Sequence, residues 1–262
     1  MTLFFIISLC ISPSEVNTGD VFRVRVVSKE NDIKAVFIED TIRFVKRDTI
    51  FVGFGVVPYK TGPGNYWIKL LSQNVVDSTL ITVLPTKFPA ETLIVADTMV
   101  KYTPKTAKRI KNERENTVDV LSGVTPYILF DGEFIPPLSG IMVTSPYGVK
   151  RIINGTERGF HMGVDLKAKK GDEIKACNDG IVVLAQYHYL PGRCVIIDHG
   201  LGIYTYYIHL DSILVREGDT LKQGEIIGYA GSSGRVTAPH LHLGLYINSH
   251  PANPISLMGL GF

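Results

Sequence analysis

Short alternating runs of apolar and polar residues fill the first third of the chain. Residues 21–27 read VFRVRVV and residues 65–70 read NYWIKL, and side chains of a strand point alternately to its two faces. Turn residues separate such runs at Lys29–Asp32, at Arg47-Asp48 and at Gly62–Gly64. Short strands with regular punctuation predict a β-sandwich over residues 15–85.

A different pattern follows in residues 86–129, which we interpret as a linker containing one helix over about residues 104–121. Thr103 is a good N-cap, Pro104 suits the first helical position and Gly123 is a stop signal. A loose apolar stripe predicts the inner face of this helix: Ala107, Ile110, Val118 and Leu121. The many Lys and Arg residues between 98 and 117 indicate a solvated helix face rather than a nucleic-acid or membrane patch.

The period of two returns in residues 130–262, which predict a second β domain. Its expected strands are Ile141–Thr144, Glu173–Ala176, Ile181–Gln186, Val195–Asp198, Ile203–His209, Ile226–Ala230 and Leu241–Ile247. Glycines mark the loops between them. The whole chain is therefore expected to be mainly β.

Composition narrows the function classes. The chain has 262 residues, 45% of them hydrophobic and 20% charged, which is typical of a folded globular protein. A formal net charge of +2 gives no support for a nucleic-acid partner, and no GxxxxGK[ST] phosphate loop occurs. We expect no stable protein partner.

The apolar run from Leu3 to Ile11 is too short to cross a bilayer, which takes about 20 residues. It matches the apolar core of an export signal, for which about 7–15 residues suffice, although no Lys or Arg precedes it. We therefore expect residues 1–14 to be an export signal and the protein to reach the cell envelope. The alternative is an edge strand.

Three cysteines, Cys10, Cys177 and Cys194, form neither a metal pattern nor a disulfide framework. If residues 181–198 form a hairpin, Cys194 lies near its turn and Cys177 near its far end. A disulfide needs Cα atoms within roughly 7 Å, so both thiols are expected to be free and buried.

Histidines and one aspartate carry the chemistry of the second domain. The chain has seven histidines, and four fall in the segments His161-Met-Gly-Val-Asp165, Tyr-Ile-His209-Leu and Pro-His240-Leu-His242. Residues two apart on a strand share a face, so His240 and His242 are expected to enter one groove. Imidazole and carboxylate ligands suit Zn²⁺, and three protein ligands leave a fourth position open for water.

These segments resemble the lysostaphin/LytM-type zinc metallopeptidases of family M23. Further matching motifs occur in the same order, SPYG at 145–148, DHG at 198–200 and GYAGSSG at 228–234. The resemblance implies an N-terminal immunoglobulin-like β-sandwich, a linker helix and a C-terminal LytM-type peptidase domain with an antiparallel β-sheet.

The resemblance also implies the roles of the site residues. It implies His161, Asp165 and His242 as Zn²⁺ ligands, whereas spacing alone does not choose between His240 and His242. His240 then corresponds to the general base, and His209 to the group that stabilises the oxyanion.

The resemblance further implies an endopeptidase that cuts peptide cross-links or stems of peptidoglycan. The alternatives are a non-catalytic LytM-like scaffold or amidase activator, in which ligands are missing, and a wall-binding module that acts through its sandwich. All five site residues are present in this sequence, which favours the enzyme.

Overall fold

The computed structural model describes residues 6–72, 76–94 and 101–260. The chain divides into two compact units, the first ending at Lys87 and the second beginning at Phe88. Most of the segment expected to be a linker, residues 86–129, therefore belongs to the second unit. Residues 1–5 of the expected export signal and residues 95–100 of that linker lie outside the described residues.

The first unit consists of short strands in two sheets. Its strands are β1 (Ile6–Ser12), β2 (Glu15–Val16), β3 (Val21–Ser28), β4 (Lys34–Phe37), β5 (Asp40–Ile42), β6 (Phe44–Arg47), β7 (Ile50–Val56), β8 (Gly64–Leu71) and β9 (Val76–Val83). One sheet has the order β1-β3-β7-β6 and the other β2-β9-β8-β4-β5. Phe22, Phe37 and Ile68 belong to one buried core that both sheets share. The expected mainly β sandwich is confirmed, and its immunoglobulin-like character stays a prediction.

The apolar run near the start of the chain forms strand β1, which pairs antiparallel with β3 from Ile6↔Ser28 to Ser12↔Arg23. Leu9 and Ile11 pack against the core, while Ser8 and Cys10 between them are exposed. This alternation is that of an edge strand. Residues 6–12 thus form a strand at the edge of their sheet, as the alternative interpretation expects, and the export signal over residues 1–14 stays a prediction.

The second unit is also mainly β. Its elements are β10 (Ala90–Leu93), α1 (Pro104–Ser122), β11 (Val143–Ser145), β12 (Lys150–Ile153), β13 (Thr156–Phe160), β14 (Gly163–Lys167), β15 (Glu173–Lys175), β16 (Gly180–His188), β17 (Gly192–Asp198), β18 (Ile203–Ile213), β19 (Thr220–Leu221), β20 (Ile226–Ala230), β21 (His240–Ile247), β22 (His250–Ala252) and α2 (Pro254–Leu257). The main sheet has the order β11-β14-β21-β18-β17-β16-β19, and a small sheet has the order β10-β12-β13.

Every expected strand of this unit is present, but the sequence interpretation missed six others: β10, β12, β13, β14, β19 and β22. Strand β14 contains Gly163 and Asp165 among five residues, and both residue types are depleted in strands. Its central position between β11 and β21 overrides that local preference.

The expected helix is confirmed as α1, and the Oγ1 atom of Thr103 accepts the N–H of Thr106 at 3.2 Å as its cap. Its expected inner face is partly wrong, because Leu121 is buried while Ala107 and Val118 are exposed. The half-buried positions are Thr106, Ile110, Glu113, Thr117 and Val120. The inner face of α1 therefore carries a carboxylate.

Among the described residues, no helix combines the length and the apolar run that a membrane crossing needs.

A buried polar chain lies behind the main sheet. Nδ1 of His199 donates to the Asp179 carbonyl at 2.7 Å, which leaves Nε2 of the neutral ring to accept from the Thr205 hydroxyl at 2.8 Å. The Tyr207 hydroxyl, 3.1 Å from that of Thr205, accepts the N–H of Cys177 at 2.9 Å. Burial lowers the pKa of His199 to about 4.

The two inner cysteines are free and buried, as expected. Burial raises the pKa of both Cys177 and Cys194 to about 12. These thiols therefore stay protonated at neutral pH and act as small apolar side chains.

Acid is expected to destabilise the second unit through His199. Its pKa is lower in the folded state, about 4, than the reference of about 6.5, so the unfolded chain binds the extra proton. His199 thereby contributes on the order of 3 kcal/mol to the free energy of unfolding. This contribution is fully present above about pH 6.5 and is lost as the pH falls to about 4. Urea unfolding of His199→Asn should show a weaker pH dependence than the original protein. Equal slopes in the two proteins would contradict this.

Candidate metal centre

Two adjacent strands bring a carboxylate and a histidine face to face. Strands β14 and β21 pair antiparallel with Asp165 opposite His242 and Lys167 opposite His240. Directly opposed residues share a face of a sheet, so Asp165, His240 and His242 project from the same side. His161 precedes β14, and its N–H donates to the Val149 carbonyl at 2.8 Å.

The three expected ligands converge. Nε2 of His161 lies 3.0 Å from Oδ1 of Asp165 and 2.9 Å from Nδ1 of His242. Nδ1 of His242 lies 2.8 Å from the same Asp165 oxygen. His161 is buried, and the other two are largely buried. Among the described residues, this is the one group of three or more His, Cys, Asp or Glu side chains that could hold a metal ion.

The hydrogen-bond partners of this group indicate a cation. Nδ1 of His161 donates to the Pro146 carbonyl at 2.9 Å, so Nε2 of the neutral ring carries a lone pair toward Asp165. Two imidazole lone pairs and a carboxylate oxygen that face one another repel unless a proton or a metal ion lies among them. Two nitrogens and one oxygen are a donor set that fits a divalent transition metal.

The second oxygen of Asp165 has a separate partner. Nη2 of Arg151 lies 3.0 Å from Oδ2, which leaves Oδ1 for the two histidines. Burial alone raises the pKa of Asp165, but its contacts with His161 and His242 outweigh burial and hold that pKa well below its usual range. The carboxylate is therefore ionised, and Arg151 fixes its orientation, as outer partners of metal ligands commonly do.

Gly163 makes room for the ring of His242. A Cβ atom at this position would lie 2.4 Å from the Leu243 carbonyl oxygen and 2.7 Å from Nε2 of His242. Any side chain would push the imidazole out of the ligand group. Glycine is thus required at this position of the HMGVD segment, because the Leu243 backbone and the His242 ring approach it closely.

The two remaining histidines stand beside the ligands. Nδ1 of His240 donates to the Ala238 carbonyl at 2.9 Å, and Nδ1 of His209 donates to the Ser233 carbonyl at 2.9 Å. In the neutral rings Nε2 is therefore the free proton acceptor. Nε2 of His240 is 3.6 Å from Oδ1 of Asp165, and the rings of His209 and His240 are 5.0 Å apart.

Burial lowers the pKa of two histidines of this site, His242 and His209. It lowers the pKa of His242, against the opposing pull of Asp165. Burial also lowers the pKa of His209 to about 3, against the opposing effect of its Ser233 hydrogen bond. Both rings are therefore neutral at neutral pH, the state in which imidazole binds a metal or accepts a proton.

A β-bulge turns His209 toward this group. Ile208 lies opposite His242 and shares its face, whereas Tyr207 points to the other face, where it meets Cys177. Simple alternation would send His209 to the Tyr207 side. Instead β18 holds an extra residue against β17 between Tyr207 and Leu210, and His209 has φ 67°. Such bulges re-aim side chains beside active sites.

A cavity of about 140 Å³ opens beside the group, and Asp165, His209, His240 and His242 line one part of it. Glu91, Arg151 and Arg235 also line it, and the sequence interpretation did not single these out. Arg151 lies in the β12–β13 strand pair, which the sequence interpretation missed, and Glu91 reaches the cavity because β10 pairs with β12. Neither position has a local motif that could have revealed it.

Comparison with known proteins identifies the domain. A profile described as "Peptidase family M23" matches residues 159–254, which contain the three residues of the group and the two histidines beside it.

The chain contains a domain of peptidase family M23.

Named relatives match a little under half of the chain. The DD-carboxypeptidase/endopeptidase Mpg of Neisseria meningitidis serogroup B is 38% identical over 124 residues, 47% of this chain and 28% of that protein. The peptidoglycan DD-endopeptidase ShyA of Vibrio cholerae serotype O1 is 37% identical over 112 residues, 42% of this chain and 26% of that protein. The chain therefore spans less than a third of the length of these relatives.

One crystal structure, described as a peptidase M23 from Pseudomonas aeruginosa, resembles the chain over most of its length. It covers 92% of this chain and 94% of its own, with a TM-score of 0.71 and 22% identity. At this identity the likeness concerns the fold.

The M23 domain is expected to bind about one divalent metal ion per chain, with Zn²⁺ as the probe. His242→Ala removes one of three donors and should abolish stoichiometric binding, because two ligands hold the ion far less well. His240→Ala is the matched control two residues away and should retain the metal. Elemental analysis after gel filtration measures both. Retention by His242→Ala together with loss by His240→Ala would reverse the assignment.

Arg151 is expected to tune metal affinity without binding the ion. Arg151→Met frees Oδ2 of Asp165 and should weaken Zn²⁺ binding roughly 10–100-fold, the usual effect of removing such an outer partner. Lys150→Met, at the exposed neighbouring position, is the control. Competition with a chromogenic chelator gives both affinities, and equal affinities would disprove the role of Arg151.

Proposed function

We propose that this protein is a zinc-dependent endopeptidase that hydrolyses peptide bonds in the cross-links or stems of bacterial peptidoglycan. One observation carries the proposal. His161, Asp165 and His242 present three donor atoms within 2.8–3.0 Å of one another, beside an open cavity into which two further histidines face.

Zinc is the ion that this donor set supports best. Two imidazole nitrogens and a carboxylate oxygen form a three-ligand site, the number that catalytic zinc sites use, with a fourth position for water. When bound, Zn²⁺ lowers the pKa of water toward 7 and polarises a carbonyl. The membership in family M23 supports the metallopeptidase class.

His240 is the proposed general base. Its Nε2 is free because Nδ1 is engaged by Ala238, and it is the non-ligand imidazole nitrogen 3.6 Å from the ligand carboxylate. In the proposed reaction Nε2 takes a proton from water as the water oxygen bonds to the peptide carbonyl carbon. The same proton then passes to the amine nitrogen as the C–N bond breaks.

His209 is the second proposed catalytic residue. Its Nδ1–H is used at the Ser233 carbonyl, so Nε2 of the neutral ring accepts rather than donates. His209 can therefore stabilise an oxyanion with an N–H only after Nε2 has taken up a proton. This condition refines the oxyanion role that the family resemblance implies, and it couples His209 to the proton movement at His240, 5.0 Å away between ring centres.

The substrate class is proposed from the relatives. Proteins named as DD-endopeptidases match a little under half of the chain at 37–38% identity, which supports peptidoglycan peptides with a bond between D-residues. Such a substrate implies work in the cell envelope, the location expected from the sequence. No nucleic-acid partner is proposed.

The division of labour along the chain is also a proposal. In this proposal residues 15–85 form an accessory sandwich, residues 86–129 lead from it into the second unit and supply helix α1 there, and residues 130–262 carry the proposed site residues. The sandwich serves as a spacer or as a contact for the wall.

A non-catalytic scaffold or amidase activator is the alternative. In that class one or more metal ligands are missing, whereas His161, Asp165 and His242 converge in this chain. The intact group therefore favours the enzyme.

The zinc-loaded full chain is expected to convert cross-linked muropeptide dimers into monomers that carry new amino termini. Mass spectrometry of the products identifies the cleaved bond. His240→Ala, which retains the metal, should lower turnover at least roughly 100-fold, because general acid–base catalysis contributes about that much or more. A zinc-loaded chain that leaves sacculi and dimers unchanged would contradict the proposal and favour the scaffold.

A further inference from the structure

The catalytic orientation of His209 depends on a turn in a neighbouring hairpin. His209 lies in the left-handed region, φ 67°, where a residue other than glycine persists only when its surroundings hold it. Its backbone N–H donates to the Pro191 carbonyl at 3.0 Å. Pro191 belongs to the turn between β16 and β17, which we call the 189–192 turn.

The loop containing Ser233 ties the 189–192 turn to His209 from a second side. The Ser233 carbonyl accepts Nδ1–H of His209 at 2.9 Å, and its hydroxyl donates to the Leu210 carbonyl at 2.7 Å. The same hydroxyl accepts the N–H of Arg193 at 2.8 Å. Ser233 thus fixes the imidazole, the backbone that follows it and the end of the turn together.

The turn and this loop are in close backbone contact. A Cβ atom on Gly192 would lie 2.3 Å from Oγ of Ser233, and one on Gly234 would lie 2.4 Å from the Leu190 carbonyl oxygen. Both glycines have positive φ, 71° and 79°. A shift of the 189–192 turn would therefore also shift Ser233.

Helix α1 holds the outer end of the turn. Oε2 of Glu113 accepts the N–H of Tyr189 at 2.7 Å, and its Oε1 pairs with Nε of Arg109 at 2.6 Å. Glu113 lies on the inner face of α1 and its side chain is 17% exposed. A charge-assisted bond at a largely buried carboxylate is among the stronger hydrogen bonds of a protein.

Aromatic contacts reinforce the same end. The Arg109 guanidinium lies 5.7 Å from the ring centre of Tyr189, and Tyr102 packs edge-on against Tyr189 at 5.9 Å. The Tyr102 hydroxyl accepts a bond from Nη1 of Arg235 at 3.1 Å, and the backbone N–H of Arg235 donates to the Leu190 carbonyl at 2.9 Å. These contacts link the start of α1 to Arg235 in the cavity wall through the 189–192 turn.

From these contacts we propose that Glu113 and Ser233 are positioning residues for His209, and that helix α1 is part of the catalytic unit rather than a simple linker. Glu113 acts through Tyr189 and Pro191. The Ser233 carbonyl holds the imidazole directly, and the Ser233 hydroxyl, which Ser233→Ala removes, holds that carbonyl in place through its bonds to Leu210 and Arg193. The inference rests on the proposed peptidase function for its kinetic consequence. Its structural consequence, a displaced His209 ring when either residue is removed, does not depend on activity.

Two pairs of variants in the zinc-loaded full chain test the proposal. Glu113→Ala is matched by Glu115→Ala, because Glu115 forms an exposed pair with Lys111 on the same helix and has the same spacing. Ser233→Ala is matched by Ser232→Ala at the exposed neighbouring position. Ser233→Ala also keeps the test decisive if Glu113→Ala does not fold.

Glu113→Ala and Ser233→Ala are expected to lower kcat on a muropeptide dimer roughly tenfold with KM and zinc content unchanged, since a small misplacement of a catalytic group has effects of this size. Each should shift the His209 imidazole signals in ¹H–¹⁵N NMR spectra, and neither should lower kcat further in a His209→Ala background. The two controls should stay within roughly twofold of the original kcat.

The result that would overturn the proposal is an unshifted His209 signal in both variants, or losses that are as large in the His209→Ala background. If the original chain cuts no muropeptide, the proposed function fails, and the NMR signals alone decide whether Glu113 and Ser233 position His209.

Discussion

The structure of the second unit depends on one electrostatic constraint: three proton acceptors face one another in a largely buried place. Nε2 of His161 and Nδ1 of His242 both lie within 3.0 Å of Oδ1 of Asp165. Water is largely excluded there, so the repulsion among these groups must be balanced by a cation. Arg151 balances only the outer oxygen of Asp165. A metal ion held by the three donors would complete the balance and would supply a Lewis acid at the edge of the cavity.

The sheet supplies the rigidity that such a site requires. Asp165, His240 and His242 lie on two paired central strands, which hold side chains more firmly than loops do. His209 is the exception, since only a bulge brings it to the same face. The 189–192 turn and Ser233 hold the bulge in place, and Glu113 of α1 holds the 189–192 turn. The position of the His209 side chain therefore depends on helix α1 through the 189–192 turn, and not through the proposed metal ligands.

Much of this arrangement could be predicted from the sequence, and the failures have physical reasons. Residues of one type at fixed spacing, such as His240 and His242 on a strand, reveal their shared face directly. Strand β14 was missed because Gly163 and Asp165 disfavour strands locally, while pairing with β11 and β21 forms it. Arg151 and Glu91 reach the cavity only through tertiary pairing. The inner face of α1 was misjudged because Glu113 finds a backbone donor in Tyr189, which no periodicity of apolar residues can indicate.

The most direct test of the central claim is a crystal structure of the full chain grown with Zn²⁺, with anomalous data collected at the zinc edge. We expect one strong peak bonded to Nε2 of His161, Oδ1 of Asp165 and Nδ1 of His242, at about 2.0–2.2 Å from each, with the fourth position toward the cavity. A peak held by other residues, or His161 and His242 turned apart with no metal between them, would contradict the account.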